Sequence, residues 1–194
     1  MILGITGGTG CGKTTLLEVL SRQGALILDC DAIYHRLLQS DTSLLKAIET
    51  QFPGTVANGM LDRKKLGNLV FSDEKALLSL NKITHTFVKK EILRQLENAP
   101  ALVAIDAIAL FEGGLGELCD TTVAVLAPKE DRIARIMTRE QISREYAEKR
   151  INAQHEDGWF REKCQHVLYN DGTLDDFHGK CLAFYQSLSI IKEK

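Results

Sequence analysis

The chain has 194 residues, 44% apolar and 26% charged, with three prolines and a formal charge of −2. These values exclude a fibrous or largely disordered chain, and the lack of a basic excess argues against a general nucleic-acid binder. The length fits one domain with an embedded subdomain or lid better than two independent domains. Cys11, Cys30, Cys119, Cys164 and Cys181 form no C-x-x-C pair, so they read as reduced thiols, not as a disulfide frame or a zinc site. No basic stretch precedes a signal-like apolar core, and no apolar run approaches the ~20 residues of a membrane span. The expectation is a cytoplasmic protein with no membrane partner.

In chain order, apolar runs alternate with helical patterns, the rhythm of a parallel α/β sheet. Residues 2–6 form a short buried strand that runs into a glycine-rich turn. Residues 13–22 carry Leu16, Leu17, Val19 and Leu20 at helical spacing. A second strand is expected at 25–28, closed by Asp29-Cys30-Asp31. From about 32 to 98 the chain reads as helical, broken near Phe52-Pro53-Gly54 and at Asn58-Gly59, and this stretch is an insertion into the sheet. Further strands are expected at 101–105, 121–126 and 167–169. Residues 129–150 predict two helices around Gln141-Ile142-Ser143, and a last helix covers about 174–191. The fold class is therefore α/β, a three-layer arrangement with a central parallel sheet of about five strands, a helical insertion and a helical lid near 139–155.

Residues 7–14, Gly7-Gly8-Thr9-Gly10-Cys11-Gly12-Lys13-Thr14, fit G-x-x-x-x-G-K-[ST] in full, between a buried strand and a helix start. Glycines allow consecutive N–H groups to turn inward into an anion nest, to which the helix N-terminus adds its positive end. Lys13 would reach the β- and γ-phosphates, and the Thr14 hydroxyl would ligate Mg²⁺. Cys11 reads as a small residue in a variable slot. No N-K-x-D sequence reads guanine, since Asn81-Lys82-Ile83-Thr84 lacks the aspartate. A small-molecule kinase fits better than a GTPase.

Phosphorylating an alcohol needs a carboxylate near the hydroxyl. Ligands of open parallel sheets sit beyond the carboxyl ends of the strands, and Asp29 and Asp31 fall there on a strand expected to lie beside the loop strand. Asp31 also reads as the cap of a helix starting at residue 32. Asp106, ending the third strand, fits a role in ordering Mg²⁺ through water, or that of a plain turn aspartate. Arg132, Arg135 and Arg139 share one helical face by their spacing, and Arg144 and Arg150 follow. Such arginines suit a lid that neutralises transition-state charge, or a solvated face with pairs such as Glu145 with Lys149.

Taken together, these residues resemble the dephospho-coenzyme A kinase family over nearly the whole chain. Residues 4–15 resemble its opening strand and loop, and Asp29-Cys30-Asp31 its D-A-D segment. Asp62-Arg63-Lys64-Lys65-Leu66-Gly67 and Leu80-Asn81-Lys82-Ile83-Thr84-His85 resemble its substrate-side signatures. Asp106-Ala107-Ile108-Ala109-Leu110-Phe111-Glu112 resembles its D-x-P-L-L-F-E segment. Arg135-Ile136-Met137-Thr138-Arg139 with Arg150-Ile151-Asn152-Ala153-Gln154 resembles its lid, and Asn170-Asp171-Gly172 its turn before the last helix. Thr86, Ala107-Ile108-Ala109, Glu140 and Cys30 depart from the family pattern without removing a catalytic group.

The resemblance implies ATP-dependent phosphorylation of the ribose 3′-hydroxyl of dephospho-coenzyme A, with Mg²⁺. It implies Asp31, Lys13 and Arg139 as catalytic, and Gly8, Gly10, Cys11, Gly12, Lys13, Thr14, Thr15, Arg135 and Asn170 as ATP-binding. Asp31, Arg63, His85, Leu110 and Glu112 fall on the substrate side, with Thr14 and Asp106 toward the metal. The partners implied are small molecules, with no nucleic acid and no obligate protein. A nucleoside or nucleotide kinase, or a non-catalytic nucleotide-sensing module, would share the loop.

Overall fold

Five short, largely β-branched and aliphatic runs form the frame of a computed structural model, which describes residues 1–191. The strands β1 (Ile2–Thr6), β2 (Leu26–Asp29), β5 (Val103–Asp106), β6 (Thr121–Leu126) and β7 (His166–Tyr169) assemble in the order β2-β5-β1-β6-β7. β1 runs parallel to both β5 and β6, and β6 parallel to β7. Apart from Ile2, Asp106 and Thr121, every residue of β1, β5 and β6 is buried, the unbroken apolar reading of strands covered on both faces. β2 does not neighbour the loop strand as expected. β5 takes that central slot, and the half-exposed β2 is an edge strand.

The chain divides into two compact units. One comprises Met1–Ile27, Pro100–Leu110 and the chain from Leu118 onward; the other comprises Leu28–Ala99 and Phe111–Glu117. In the first, α1 (Lys13–Arg22) packs against α9 (Leu174–Ile191). Leu16, Val19 and Leu20 of α1 and Phe177, Cys181, Phe184 and Leu188 of α9 close one core with Leu3, Ile5, Val123 and Val125 of the sheet. On α6 (Lys129–Glu140) and α7 (Arg144–Asn152), Ile133, Ile136, Ala147 and Ile151 form a second, smaller cluster. Gln141, in a left-handed conformation at φ 54°, ends α6 where the sequence predicted a break. The short α8 (Asp157–Lys163) was not predicted, because seven residues give no readable period.

In the second unit, α2 (Cys30–Ser40), α3 (Thr42–Gln51), α4 (Arg63–Val70) and the long α5 (Glu74–Leu96) enclose Leu38, Leu44, Leu45, Ile48, Phe52, Leu66 and Val70. Asp41, Asp62 and Asp73 each cap the helix they precede, accepting backbone N–H bonds from its first turn. The break expected at Asn58-Gly59 is a two-residue hairpin turn joining β3 (Val56–Ala57) to β4 (Met60–Leu61), with φ of 52° and 75°. Asn-Gly suits that turn because both positions need positive φ. No helix among the described residues is long and apolar enough to cross a membrane.

Candidate active site

Residues 7–14 turn between the end of β1 and the start of α1, and the loop is fixed from outside. Three consecutive carbonyls each accept a side-chain hydrogen bond. Arg132 Nε donates to Thr9 O at 3.0 Å, Arg135 Nη1 to Gly10 O at 3.2 Å, and Asn170 Nδ2 to Cys11 O at 2.9 Å. A peptide whose carbonyl is tied outward presents its N–H inward, which for the Thr9 and Cys11 carbonyls favours the anion nest the sequence implies, while the Cys11 N–H turns back to Gly8 O at 3.3 Å. Lys13 Nζ donates to Gly7 O at 2.9 Å, folding its ammonium back over the loop. Gly12 precedes α1 at φ 100° and supplies no capping side chain, which leaves the helix N-terminus open to an anion.

Close packing explains the glycines. Gly7 has φ 132°, and a Cβ there would collide with the Val125 carbonyl of β6, which cannot move out of the sheet. A Cβ on Gly8 would strike the Arg132 guanidinium. Cys11 is 1% exposed, and burial pushes its thiol pKa up, so it packs and is not a nucleophile in this state.

Arg132 is the residue that sequence spacing undervalued. It is 5% exposed, and its guanidinium meets only neutral oxygens, Thr9 O and, at 2.8 Å, Gln154 Oε1. Among the described residues no carboxylate pairs with it. A buried, unneutralised guanidinium is costly in a folded protein unless a ligand brings negative charge, and here it lies directly behind the phosphate loop. The i, i+3, i+7 spacing placed it on a face with Arg135 and Arg139 but could not give depth.

Further along α6 the arginines are less buried, Arg135 half-buried and Arg139 exposed. Arg135 pins Gly10 and reaches Asn170 Oδ1 at 3.4 Å. Arg139, in the last turn, donates to Glu140 at 2.6 Å, and Arg150 of α7 also pairs with Glu140. The two arginines hold the Glu140 carboxyl below the usual carboxylate range. Arg144 pairs with Glu130 and with its i, i+4 neighbour Glu148.

Thr14 is exposed at the second position of α1, and its hydroxyl makes no hydrogen bond among the described residues. Thr15 sits beside it, its N–H bonded to Gly12 O. Asp106 ends β5 opposite Ile5 in the register, beside the strand that feeds the loop. A hydroxyl and a carboxylate are hard oxygen donors of the kind Mg²⁺ takes, and too few for an all-protein cage. That fits an ion bound chiefly through phosphates. Leu110, expected on the substrate side, is fully buried and packs against Gly4 of β1, so its side chain has no surface to offer. Asn170 is buried as well, its amide engaged by Cys11 O and Arg135.

In the second unit, Asp29 and Asp31 have different duties. Asp29 caps α2, accepting from Ala32 N at 3.0 Å, and the helix starts at Cys30. Asp31 lies inside the first turn, exposed, so the capping role weighed for it belongs to Asp29. Arg63, exposed at the start of α4, reaches His35 Nδ1 at 3.3 Å. His85 and Glu112 share a groove of about 450 Å³ with Asn81, Lys82 and Lys89, and Lys89 donates to Gly114 O at 2.8 Å. Burial lowers the His85 pKa, while the Glu112 charge pulls it back up.

Comparison with known proteins follows the same lines. The family model described as dephospho-CoA kinase matches residues 1–176. A dephospho-CoA kinase of Latilactobacillus sakei is 38% identical over 178 residues, covering 89% of this chain and 88% of that one. One from Thermus thermophilus is 37% identical over 177 residues, covering 91% and 86%. A crystal structure of a Thermus thermophilus protein superposes with a TM-score of 0.81 at 34% identity, covering 97% of this chain and 96% of that one. The dephospho-CoA kinase of Campylobacter jejuni gives 0.69 at 27%, covering 98% of each. Shikimate kinase from Acinetobacter baumannii, at 0.55 and 19%, covers 96% of this chain and 93% of that one and shares the fold alone. With a phosphate loop braced at three carbonyls and a family match over most of its length, the chain belongs to the dephospho-CoA kinases, enzymes that phosphorylate dephospho-CoA with ATP to give CoA, the last step of CoA biosynthesis.

Proposed function

We propose that this protein transfers the γ-phosphoryl group of ATP to the 3′-hydroxyl of dephospho-coenzyme A, releasing ADP and coenzyme A. The observation that carries the proposal is the phosphate loop, with its outward carbonyls bound, its helix end uncapped and Lys13 folded over it. Gly8, Gly10, Cys11, Gly12, Thr14 and Thr15 cradle the triphosphate through backbone and hydroxyl groups, and Lys13 meets the β- and γ-oxygens. Asp31 accepts or orients the proton of the 3′-hydroxyl as its oxygen bonds to the γ-phosphorus and the bond to ADP breaks. Arg139, with Arg135, meets charge on the transferring group. When bound through Thr14 and Asp106, Mg²⁺ supplies charge neutralisation at the phosphates.

On the acceptor side, Arg63, His85 and Glu112 contact the substrate, and the helical insertion at about 32–98 holds its pantetheine arm. Residues 139–155 act as the lid of a single kinase domain spanning 1–194. The net charge of −2 and the absence of any C-x-x-C pair in the sequence support action in the cytoplasm on small molecules, without nucleic acid, membrane or obligate protein partner.

The test is ADP release with Mg-ATP, comparing dephospho-coenzyme A with AMP, adenosine, uridine and shikimate, with product mass checked for one added phosphate. Turnover on dephospho-coenzyme A alone is the expected result. Turnover on another acceptor, or on none, overturns the substrate assignment.

A further inference from the structure

Thr9 is held at three atoms by two side chains remote in sequence. Its N–H donates to Gln154 Oε1 at 2.9 Å, its hydroxyl accepts from Gln154 Nε2 at 2.8 Å, and its carbonyl accepts from Arg132 Nε at 3.0 Å. A fourth bond, Arg132 Nη2 to Gln154 Oε1 at 2.8 Å, closes the set. The pattern allows one orientation of the Gln154 amide. Turned over, it would set its NH₂ against two donors, the Thr9 N–H and the guanidinium. Gly8 is part of the same fit, since a Cβ there would meet Arg132 Nη2 and come within 2.7 Å of Gln154 Oε1.

Gln154 lies just past α7, the helix whose Arg150 shares Glu140 with Arg139. The segment around α7 therefore touches the phosphate loop and, through Glu140, is linked to the arginine expected at the transferring phosphoryl group. We propose that Gln154 is a positioning residue for nucleotide binding. With Arg132 it sets the conformation of Thr9, and it ties that conformation to the placement of Arg139 and Arg150. A loop already held in its bound shape loses less conformational freedom when the triphosphate arrives. Arg132 also places a buried guanidinium charge behind the loop, with Glu156 and Asp157 lining the same cavity. The proposal rests on the reading of residues 7–14 as an ATP site, and it adds a residue that contacts no substrate.

The test is calorimetric binding of ADP, with kcat and KM for ATP, in the wild type, Gln154→Ala, Gln154→Glu and Ser187→Ala. Gln154 borders a cavity of about 390 Å³ and sits outside both apolar cores, so truncation leaves the packing intact. Gln154→Ala should weaken ADP about tenfold and raise KM for ATP similarly, because the Thr9 N–H and Arg132 lose their shared acceptor. Its unfolding midpoint without nucleotide should fall only modestly, since water in the adjoining cavity can meet the two donors. Gln154→Glu keeps both acceptor contacts but sets a carboxylate against the Arg132 guanidinium beside the loop, so it should hold Thr9 and still bind ADP less tightly than the wild type. Ser187→Ala on α9 removes only a bond to the Phe184 carbonyl at 2.7 Å and should match the wild type. Unchanged ADP affinity in Gln154→Ala, or an affinity loss matched by a general fall in stability, overturns the proposal. Failure of the wild type to bind ADP would instead overturn the ATP-site reading.

Discussion

The phosphate loop and the acceptor-side residues are built on opposite plans. Around the loop, Cys11 is buried, Arg132 is 5% exposed and Asn170 is 6% exposed, and four carbonyls from Gly7 to Cys11 each accept a side-chain donor. In the helical unit, Asp31, Arg63 and Glu112 are exposed and His85 is half-buried. The contrast fits the two tasks proposed for these regions. A triphosphate is bound by backbone dipoles, which help only if their directions are fixed before it arrives. A single carboxylate acting on one hydroxyl needs access and a supporting helix, and little else.

If that division holds, the largest loss of rate should come from the least supported residue. Asp31→Asn keeps shape and helix while removing the basic oxygen, and kcat should fall by about 10²–10⁴-fold with little change in KM for ATP. Steady-state kinetics on both substrates checks this, and a loss below about tenfold would leave Asp31 as a plain first-turn acid. Lys13→Ala should follow, with a drop of about 10²–10³-fold in kcat/KM for ATP, because a charge aimed at the phosphates is lost. An unaltered ATP dependence would detach Lys13 from the nucleotide.

Gly7→Ala attacks the fixed region through its backbone. At φ 132° with the Val125 carbonyl in the way, the substitution combines strain and overpacking, for about 2–3 kcal/mol of stability. Denaturant unfolding would read that cost, and nucleotide affinity should fall with it. The same change at Gly24, also at positive φ but with open space around its Cβ position, should cost less. Equal costs at both glycines would mean that the collision with β6 contributes nothing.

The loop was legible in the sequence to the residue, because its chemistry depends on glycine, lysine and threonine at fixed spacing. The helix Lys13–Arg22 was legible too, since leucines at helical intervals leave a period. What supports the loop was not. Arg132 and Arg139 look equivalent as i and i+7 on one helix, yet one is buried behind Thr9 and the other is 59% exposed. Only the tertiary path of β6 into α6 separates them. The edge position of β2 was missed for a related reason: its apolar residues say that it is a strand and nothing about which neighbour it takes. The hairpin at Asn58-Gly59 carried its turn signal, but two-residue strands are too short to alternate.

Asp29 and Asp31 bring the comparison down to two residues. Asp29→Ala removes the acceptor for Ala32 N and should cost about 1 kcal/mol of stability, while Asp31→Asn should leave stability nearly unchanged. Thermal unfolding of the two variants distinguishes them, and the reverse order would return the cap to Asp31.

The smallest effect lies in the groove of the helical unit. Burial holds His85 below its ordinary pKa, with the Glu112 charge opposing it and Lys82 and Lys89 lining the same groove. Between the lowered folded value and the ordinary value near 6.5, the unfolded chain binds more protons than the folded one at this site. Stability tied to neutral His85 is therefore complete above about pH 6.5 and declines as the pH falls through that value. His85→Gln cannot titrate, so its unfolding midpoint should drop less than that of the wild type between pH 7.5 and pH 5.5. Parallel pH profiles would mean that Glu112 offsets burial in full, and that the groove is as open to charge as the exposed acceptor-side residues.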